Sequence, residues 1–285
     1  VVIISDAFRY ELGYELYDEL MADSKNLVEI EPYLASLPSY TNLGMSNLLP
    51  NKGITVEKGD KDLVFKIDGK STISTNRAKI LQNNEPKSAC LDYSQAMKFS
   101  RDEGRDFFKD NRVLYIYHDW MDSIGDKKRT EHETFNASTK TIEDIKDLIM
   151  KIYGWNVYHV LVTSDHGFLY NNTTLTESSR EQLPKPKGYS RDHSRFIVAD
   201  DFEGKLDGYG LEMKNTTNID TDLKIAIPRA INRYRKQGNI GVQFVHGGAS
   251  LQELLVPVVK FYKDTKKEKS DLVTFNRIDQ NDRIA

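Results

Sequence analysis

Short apolar runs alternate with amphipathic stretches along the chain, and this alternation sets the predicted architecture. The most apolar runs are predicted to be buried strands, and they lie at 1–5, Val113–His118 and 157–163. Between them, apolar positions three and four residues apart predict helices over 8–23 and 136–152. Strands that alternate with helices predict an α/β fold with a mainly parallel central sheet flanked by helices.

Weaker patterns predict the remaining elements. In chain order they are a strand with its following loop at 27–37, a short helix within 39–49, a hairpin at 64–73 turning at Asp68-Gly69, helices at 76–84 and 93–109, a strand at 195–199, a partial helix at 222–237, a strand at 241–248, the start of a helix at 251–256 and a final strand at 256–262. Residues 171–195 are polar and contain Pro184, Pro186 and Gly188, which predicts a loop or a small lid.

The predicted domain covers residues 1–262, and a Lys- and Asp-rich charged extension follows at 263–285. A length of 285 residues suits one large α/β domain. Because the chain begins without Met inside a predicted strand, we expect it to be part of a longer protein. Neither a signal peptide nor an apolar run of about 20 residues, the length that spans a bilayer, is visible in the sequence.

Composition narrows the class of protein. The chain is 39% hydrophobic and 29% charged, as in an ordinary globular protein, and its net charge of −3 argues against a uniformly basic surface for nucleic acid. Local basic clusters at 185–195 and 229–236 leave a smaller basic groove open. Cys90 is the only cysteine, which excludes an intrachain disulfide and a thiolate zinc cluster.

Acidic residues and a histidine follow two of the predicted strands. Asp6 comes directly after the strand at 1–5, and Asp165-His166 follows the strand at 157–163. In open α/β sheets, ligands bind at the carboxyl ends of the strands. Carboxylate and imidazole groups are common ligands of divalent metals. The sequence therefore predicts a metal site built from two distant segments.

Further candidates lie at strand ends or on the loops that follow them. They are Thr41, Asp122, Asp126 and His246, with His118 as a rival ligand. Each has a common structural explanation, because Asp and Thr often cap helices and a single His is often just hydrogen-bonded. Their joint occurrence is what favours a site.

The order of these residues resembles that of the alkaline phosphatase superfamily, and more closely that of the PglZ family of bacterial phage-defence (BREX-type) systems. Five blocks carry the resemblance and cover roughly 1–262: SDAFRYE at 5–11, PSYTNLGMSNLLP at 38–50, YHDWMDSIGD at 117–126, TSDHGF at 163–168 and HGGASLQELLVP at 246–257.

The resemblance implies a Thr41 nucleophile at a helix N-terminus and two divalent metal ions. One ligand set would be Asp122, Asp126 and His246, and the other would be Asp6, Asp165, His166 and the Thr41 oxygen. The superfamily usually has His where this chain has Asp126, so the first set is richer in oxygen. Such a set fits Zn²⁺, and also Mn²⁺ or a similar harder ion.

The resemblance also implies an activity and a setting. The expected activity is metal-dependent hydrolysis of phosphoesters, as a phosphodiesterase or nuclease acting on nucleic acid or a nucleotide. The setting would be the cytoplasm, away from membranes and among other phage-defence proteins. The alternatives are a monoesterase or phosphomutase, and an interaction module with a structural or weakly active metal site. Candidates for substrate binding, or for orienting a ligand, are Arg9, Asn42, His118, Arg195 and Glu253.

Overall fold

A six-stranded sheet forms the centre of the protein in a computed structural model, which describes residues 1–125, 130, 133–173, 176–235 and 243–263. The helices of this part are α1 (Tyr10–Met21), α2 (Thr41–Asn47), α3 (Ser74–Asn84), α4 (Tyr93–Lys98), α5 (Arg101–Asp110), α6 (Trp120–Gly125), α7 (Thr134–Gly154), α8 (Lys214–Thr217) and α9 (Leu251–Leu254). The strands are β1 (Val2–Ser5), β2 (Asn26–Leu34), β3 (Thr55–Lys58), β4 (Leu63–Ile67), β5 (Lys70–Ser71), β6 (Ser88–Asp92), β7 (Val113–His118), β8 (His159–Thr163), β9 (Leu169–Tyr170), β10 (Arg180–Glu181), β11 (Lys185–Asp192), β12 (Ile197–Glu203), β13 (Tyr209–Glu212), β14 (Lys224–Ile227), β15 (Arg233–Tyr234), β16 (Phe244–Val245) and β17 (Leu255–Lys263).

The central sheet is mainly parallel, as the alternation of elements predicted. Its strand order is β2-β17-β8-β1-β7-β6. Strand β1 pairs in parallel with both β8 and β7, and β7 pairs in parallel with β6, whereas β17 runs antiparallel to β8 and β2. Because β1 lies directly beside β8, the residues that follow these two strands meet at one edge of the sheet.

Two hydrophobic cores cover opposite faces of this sheet. Leu114 and Ile116 of β7 belong to the core that includes α1 and α7, whereas Tyr115 between them packs against the second core. Successive strand residues point to opposite faces, so the two cores lie on either side of the sheet. The second core joins α2 to β4 and to the four-stranded sheet β11-β12-β14-β13.

The hairpin prediction is confirmed, and two helix predictions need correction. Asp68 and Gly69 turn the chain between β4 and β5 with φ of 49° and 75°, as a tight hairpin requires. The helix predicted over 93–109 is two helices, because Ser100 begins α5 with a capping box: its Oγ accepts from the Glu103 backbone and the Glu103 carboxylate accepts from Ser100.

The partial helix predicted over 222–237 is wrong for the described part of that range. It contains β14 and β15 instead. Leu223, Ile225 and Ile227 all face the second core, so the apolar period here is two residues rather than 3.6. The period-two pattern indicates a strand, and β14 is paired on both sides, with β12 and β13.

The range 171–195, predicted as a loop or lid, contains two strands among its described residues, β10 and β11. Strand β11 lies within it and forms the edge of the four-stranded sheet, paired antiparallel with β12. Proline is tolerated in an edge strand, which explains how Pro186 fits there. Residues 174–175 and the predicted extension from 264 onward lie outside the described residues. None of the described helices combines the length and the apolar character needed to cross a membrane.

Candidate metal centre and active site

The turns that follow β1 and β8 are hydrogen-bonded to each other. Ala7, directly after Asp6, has a left-handed backbone with φ of 58°. Its N–H donates to Asp165 Oδ1 at 3.2 Å, and the N–H of Phe8 donates to Ser164 Oγ at 2.8 Å. A left-handed non-glycine residue is costly and persists where its surroundings fix it. These bonds hold the Asp6 and Asp165 carboxylates side by side.

Asp6, Asp165 and His166 converge on one point, as the sequence predicted. Each offers one ligand atom, and these atoms lie within 4.8 Å of one another. His166 Nε2 is 3.6 Å from Asp6 Oδ1 and 3.4 Å from Asp165 Oδ2. Asp6 Oδ1 and Asp165 Oδ2 are buried without a hydrogen-bond partner among the described residues. Because buried, unpartnered carboxylate oxygens are costly, these three residues fit a divalent cation.

The hydrogen bonding of His166 leaves Nε2 available as a ligand. Nδ1 lies 2.9 Å from the carbonyl oxygen of Gly167, which can only accept, so Nδ1 carries the proton. Burial lowers the pKa of His166 to about 3, which keeps the imidazole neutral. A neutral imidazole whose other nitrogen is held by a carbonyl is the form that binds metals.

The two carboxylates share an environment that resists their ionisation. Burial raises the pKa of Asp165 to about 6. Burial, together with repulsion from Asp165, raises the pKa of Asp6 well above its ordinary value. A cation between them would remove both penalties.

Thr41 is the first residue of α2 and touches this cluster. Its Oγ1 lies 3.1 Å from His166 Nε2. Gly44, within the same helix, packs against the backbone of Asp165, where a Cβ on residue 44 would lie 2.4 Å from the Asp165 carbonyl oxygen. Glycine at this position therefore lets α2 rest on the metal-ligand loop and brings Thr41 to His166.

Asp122 and His246 form a second group beside the first. Asp122 lies on α6 and His246 follows β16, with His246 Nε2 3.8 Å from Asp122 Oδ1. The ring of His246 stacks on that of His166, with centroids 4.3 Å apart and planes 12° apart. Asp126, the third predicted member, lies outside the described residues.

The loop that carries His246 is held by two residues from other segments. Ser39 Oγ donates to the carbonyl of Gly248 at 2.8 Å and accepts from the N–H of Gly247 at 3.2 Å. The Glu253 carboxylate accepts from the N–H of Gly248 at 2.9 Å, and the Glu253 carbonyl accepts from the N–H of Gly167 at 2.8 Å. Sequence reasoning gave Ser39 no role, although it stands two residues before Thr41 in the PSYT block.

Arg195 and Glu253 form a fully buried ion pair, so Arg195 does not face a substrate. Arg195 Nε and Nη2 lie 2.9 and 2.5 Å from the Glu253 carboxylate oxygens, and Nη2 also donates to the carbonyl of Ala230 at 2.9 Å. Although burial opposes it, hydrogen bonding to Arg195 keeps the pKa of Glu253 below its ordinary value. Glu253 therefore anchors the backbone beyond His246; among the described residues its carboxylate contacts no imidazole.

His118 lies apart from the Asp122–His246 pair. Its Nδ1 is 3.1 Å from Ser5 Oγ, and its Nε2 is 3.6 Å from Asp144 Oδ2, beyond hydrogen-bonding distance. The rival assignment of His118 as a partner ligand of Asp122 thus finds no contact in the described structure.

The other candidates are engaged in local contacts. Arg9 pairs with Glu11 at 2.5 Å, and its guanidinium lies over the ring of Phe168, 4.6 Å from the centroid. Asn42 is exposed and donates to Asp62 Oδ2 at 3.1 Å.

Within the described residues, the predicted basic clusters at 185–195 and 229–236 do not form one free surface. Arg195 and Arg233 are buried, with 0% and 5% exposure. Arg191 donates to the carbonyl of Gly59 at 2.6 Å.

Over residues 1–261 the sequence matches the family described as "BREX system PglZ alkaline phosphatase-like domain". The chain belongs to the PglZ family. It is 36% identical over 276 residues to the "Alkaline phosphatase-like protein PglZ" of Bacillus cereus, covering 95% of this chain and 32% of that protein. It is also 36% identical over 282 residues to the "Alkaline phosphatase-like protein BrxZ" of Escherichia coli, covering 94% of this chain and 31% of that protein. The chain thus spans about a third of the length of these relatives.

Solved structures confirm the alkaline-phosphatase-like fold. A phosphonoacetate hydrolase from Sinorhizobium meliloti superposes with a TM-score of 0.58 at 10% identity, covering 91% of this chain and 88% of that one. Murine ectonucleotide pyrophosphatase/phosphodiesterase 5 superposes with a TM-score of 0.54 at 16% identity, covering 92% and 87%. At these identities the likeness concerns the fold alone.

Proposed function

We propose that this domain hydrolyses phosphodiesters, with Thr41 as the nucleophile and two divalent metal ions. The observation that carries the proposal is the 3.1 Å contact between Thr41 Oγ1 and His166 Nε2, at the edge of the buried Asp6–Asp165 pair. In this contact a hydroxyl lies beside a cluster in which Asp6 Oδ1 and Asp165 Oδ2 have no hydrogen-bond partner among the described residues. The common alternative, a helix N-cap, does not apply, because Tyr40 holds the N-cap position and Thr41 is the first residue of α2.

Two sets of residues would hold the metals. Asp6, Asp165 and His166 would form one set, and Asp122 and His246 the described part of the other, with Asp126 as its proposed third member. Bound divalent ions would lower the pKa of a hydroxyl and stabilise charge on phosphoryl oxygens. The imidazoles favour Zn²⁺, and the additional carboxylates leave Mn²⁺ or a similar ion as the alternative.

The residues of the chain would act in two steps. In the first, the Thr41 hydroxyl gives its proton to solvent and its oxygen attacks phosphorus, the bond from phosphorus to one ester oxygen breaks, and that alcohol leaves with a proton from solvent. In the second, water attacks the phosphothreonine, the Oγ1–phosphorus bond breaks, and Thr41 regains its proton. Ala7 and Phe8 take part by holding the turn, since their N–H groups fix Asp165 and Ser164.

The family sets the wider context of the proposal. The family description suggests a role in a BREX system. The proposed setting is a phage-defence system in the cytoplasm, where the domain would act together with other proteins of that system. A nucleic acid or nucleotide is the proposed substrate. Residues 1–262 would be the catalytic domain, and 263–285 a charged extension that leads into the rest of a longer protein.

The test uses the purified chain, stripped by a chelator and reloaded with Zn²⁺ or Mn²⁺. We expect metal-dependent turnover of bis-p-nitrophenyl phosphate that exceeds turnover of p-nitrophenyl phosphate. Preference for the monoester would make the domain a monoesterase. Bound metal without turnover of either compound would contradict the proposal and favour an interaction module.

A further inference from the structure

We propose that a cavity beside Asp6 binds a single nucleoside of the substrate, which makes the domain selective for phosphodiesters with a nucleoside as one substituent. The inference rests on the proposed function and names the substrate class of that site. The cavity has a volume of about 700 Å³, and its walls include Met45, Arg77, Tyr93, Tyr117, His118 and Trp120.

The cavity begins at the reaction centre. Asp6, a member of the buried ligand cluster, forms part of its wall. Met45 forms another part and lies four residues after Thr41 on α2. Residues four apart on a helix share a face, so the wall continues from the nucleophile along α2. A substituent on a phosphorus beside Thr41 would therefore have this space next to it.

The size and the aromatic rings of the cavity suit a nucleoside. Sites for small molecules commonly measure about 300–1,000 Å³ and are lined by aromatic groups with a few polar ones. Tyr93, Tyr117 and Trp120 line this cavity, and Trp120 is 43% exposed. Bases stack on such rings, with a gain of about 1–3 kcal/mol for each base.

Two polar side chains in the walls have unused capacity for a ligand. The Arg77 guanidinium stacks on Tyr117, 4.8 Å from the ring centroid, and its Nε donates to the Thr72 carbonyl at 3.3 Å. Its terminal amino groups have no ion-pair partner in the described part of the chain, so they can bind sugar or phosphate oxygens. His118 is 3% exposed, and its Nε2 faces Asp144 Oδ2 at 3.6 Å without a hydrogen bond among the described residues. A ligand hydroxyl or amino group would satisfy that nitrogen.

The acidic residues of the cavity limit what can enter. Asp92 and Asp119 also line it. Their charges would repel the successive phosphates of a strand threaded through the cavity, whereas the amino groups of bases can donate to carboxylates. The cavity therefore fits one base with its sugar, as at the end of a nucleic acid or in a nucleotide ester.

Tryptophan fluorescence offers a binding test that needs no turnover. The chain has two tryptophans, and Trp155 is only 2% exposed, so Trp120 should report ligands in the cavity. We expect AMP to quench the fluorescence of the metal-loaded chain, and inorganic phosphate not to. Trp120→Phe should abolish the fluorescence change. Arg77→Met should weaken AMP binding about 10-fold. Arg112→Met, at an exposed arginine outside the cavity, is the matched control and should bind AMP like the wild type. Quenching by phosphate alone would overturn the proposal.

A pair of substrates separates this inference from the proposed function. Thymidine 5′-(p-nitrophenyl) phosphate carries a nucleoside, whereas methyl p-nitrophenyl phosphate leaves the cavity empty. We expect kcat/KM to favour the nucleoside ester, and Arg77→Met to lower that preference about 10-fold. Arg112→Met, outside the cavity, should leave the preference and the turnover of the methyl ester unchanged. Turnover of both esters without preference, and without quenching by AMP, would overturn the cavity proposal alone. Quenching by AMP without turnover of either ester would uphold the nucleoside site and contradict the proposed function.

Discussion

The two proposed ligand groups are built in different ways. Asp6, Asp165 and His166 are all buried and follow β1 and β8, two strands that are paired in the central sheet. Asp122 and His246 are supplied by a short helix and a loop outside that sheet, and their side chains are 23% and 19% exposed.

This difference indicates how each group is prepared for its ion. The register of the sheet fixes the positions of Asp6 and Asp165. Ion binding therefore requires no further ordering of these two residues. The loop carrying His246 depends on hydrogen bonds from Ser39 and Glu253. We therefore expect the buried group, which we call the sheet site, to hold its ion more tightly than the second group, which we call the loop site.

The largest expected effect tests whether the sheet site contains the nucleophile. Thr41→Ala should lower diester turnover at least about 1,000-fold, because the attacking oxygen is removed, while both metals stay bound. Thr41→Ser should retain turnover. If Thr41 has only a structural role, the alanine variant keeps its activity per folded molecule. Turnover at the wild-type level by Thr41→Ala would refute the covalent mechanism.

The next effect tests the difference in affinity between the two sites. We expect Asp165→Ala to lose the tighter of two ions and His246→Ala to lose the weaker one, because each removes a direct ligand. The measurement is metal content after dialysis against chelators of graded strength, with circular dichroism to confirm folding. Loss of the tighter ion from His246→Ala would reverse the comparison.

The sheet site could be predicted from the sequence because its signals are local. An apolar run that ends in Asp identifies both the strand and the ligand that follows it, and parallel strands bring such ends together. Strand β7 was predicted with its observed bounds, Val113–His118. That β1 lies directly beside β8 could not be predicted, because these strands are far apart in the sequence and the general rules for α/β folds leave the strand order open.

The roles of Ser39 and Glu253, which hold the loop carrying His246, could not be predicted, because they depend on contacts between distant segments. Ser39 binds a loop that lies 208 residues further along the chain. Arg195 reads as a surface charge, yet it is buried against Glu253, and only the folded chain shows this pairing. The period-two pattern of β14 could have been detected, because Leu223, Ile225 and Ile227 alternate with Lys224 and Ala226.

A smaller effect concerns the stability of the sheet site without metal. Burial raises the pKa of Asp165 from 3.8 to about 6, so its ionised form destabilises the fold by at most about 3 kcal/mol. A raised carboxylate pKa contributes stability below the unfolded pKa, and this contribution is lost as pH rises through about 6. In the presence of chelator, the melting temperature of Asp165→Asn should therefore equal that of the wild type near pH 4 and exceed it above pH 6.

Asparagine keeps Oδ1 to accept from the Ala7 N–H. With Zn²⁺ present, the wild type should have the higher melting temperature, because the variant has lost a charged metal ligand. Asp18→Asn, at an exposed position on α1, is the matched control. A lower melting temperature of Asp165→Asn in chelator at pH 7.5 would show that the carboxylate is not destabilised by its surroundings.

The smallest expected effect tests whether the loop site depends on its supports. Ser39 is 1% exposed and ties the segment before Thr41 to Gly247 and Gly248. Ser39→Ala removes both hydrogen bonds, which should cost about 1–3 kcal/mol of stability and leave Thr41 in place.

Because His246 would then be held less firmly, affinity for the weaker ion should fall about 10-fold, the lower end of the range for groups that orient metal ligands. Affinity for the tighter ion should not change, and saturating metal should restore turnover. Ser36→Ala, on the same segment, removes only a hydrogen bond from Asn47 at the surface and is the matched control. If Ser39→Ala lowered the affinity for both ions equally, the two sites would have to be stabilised by the same contacts. A mutation that removes contacts to the loop would then also affect the residues positioned by the sheet.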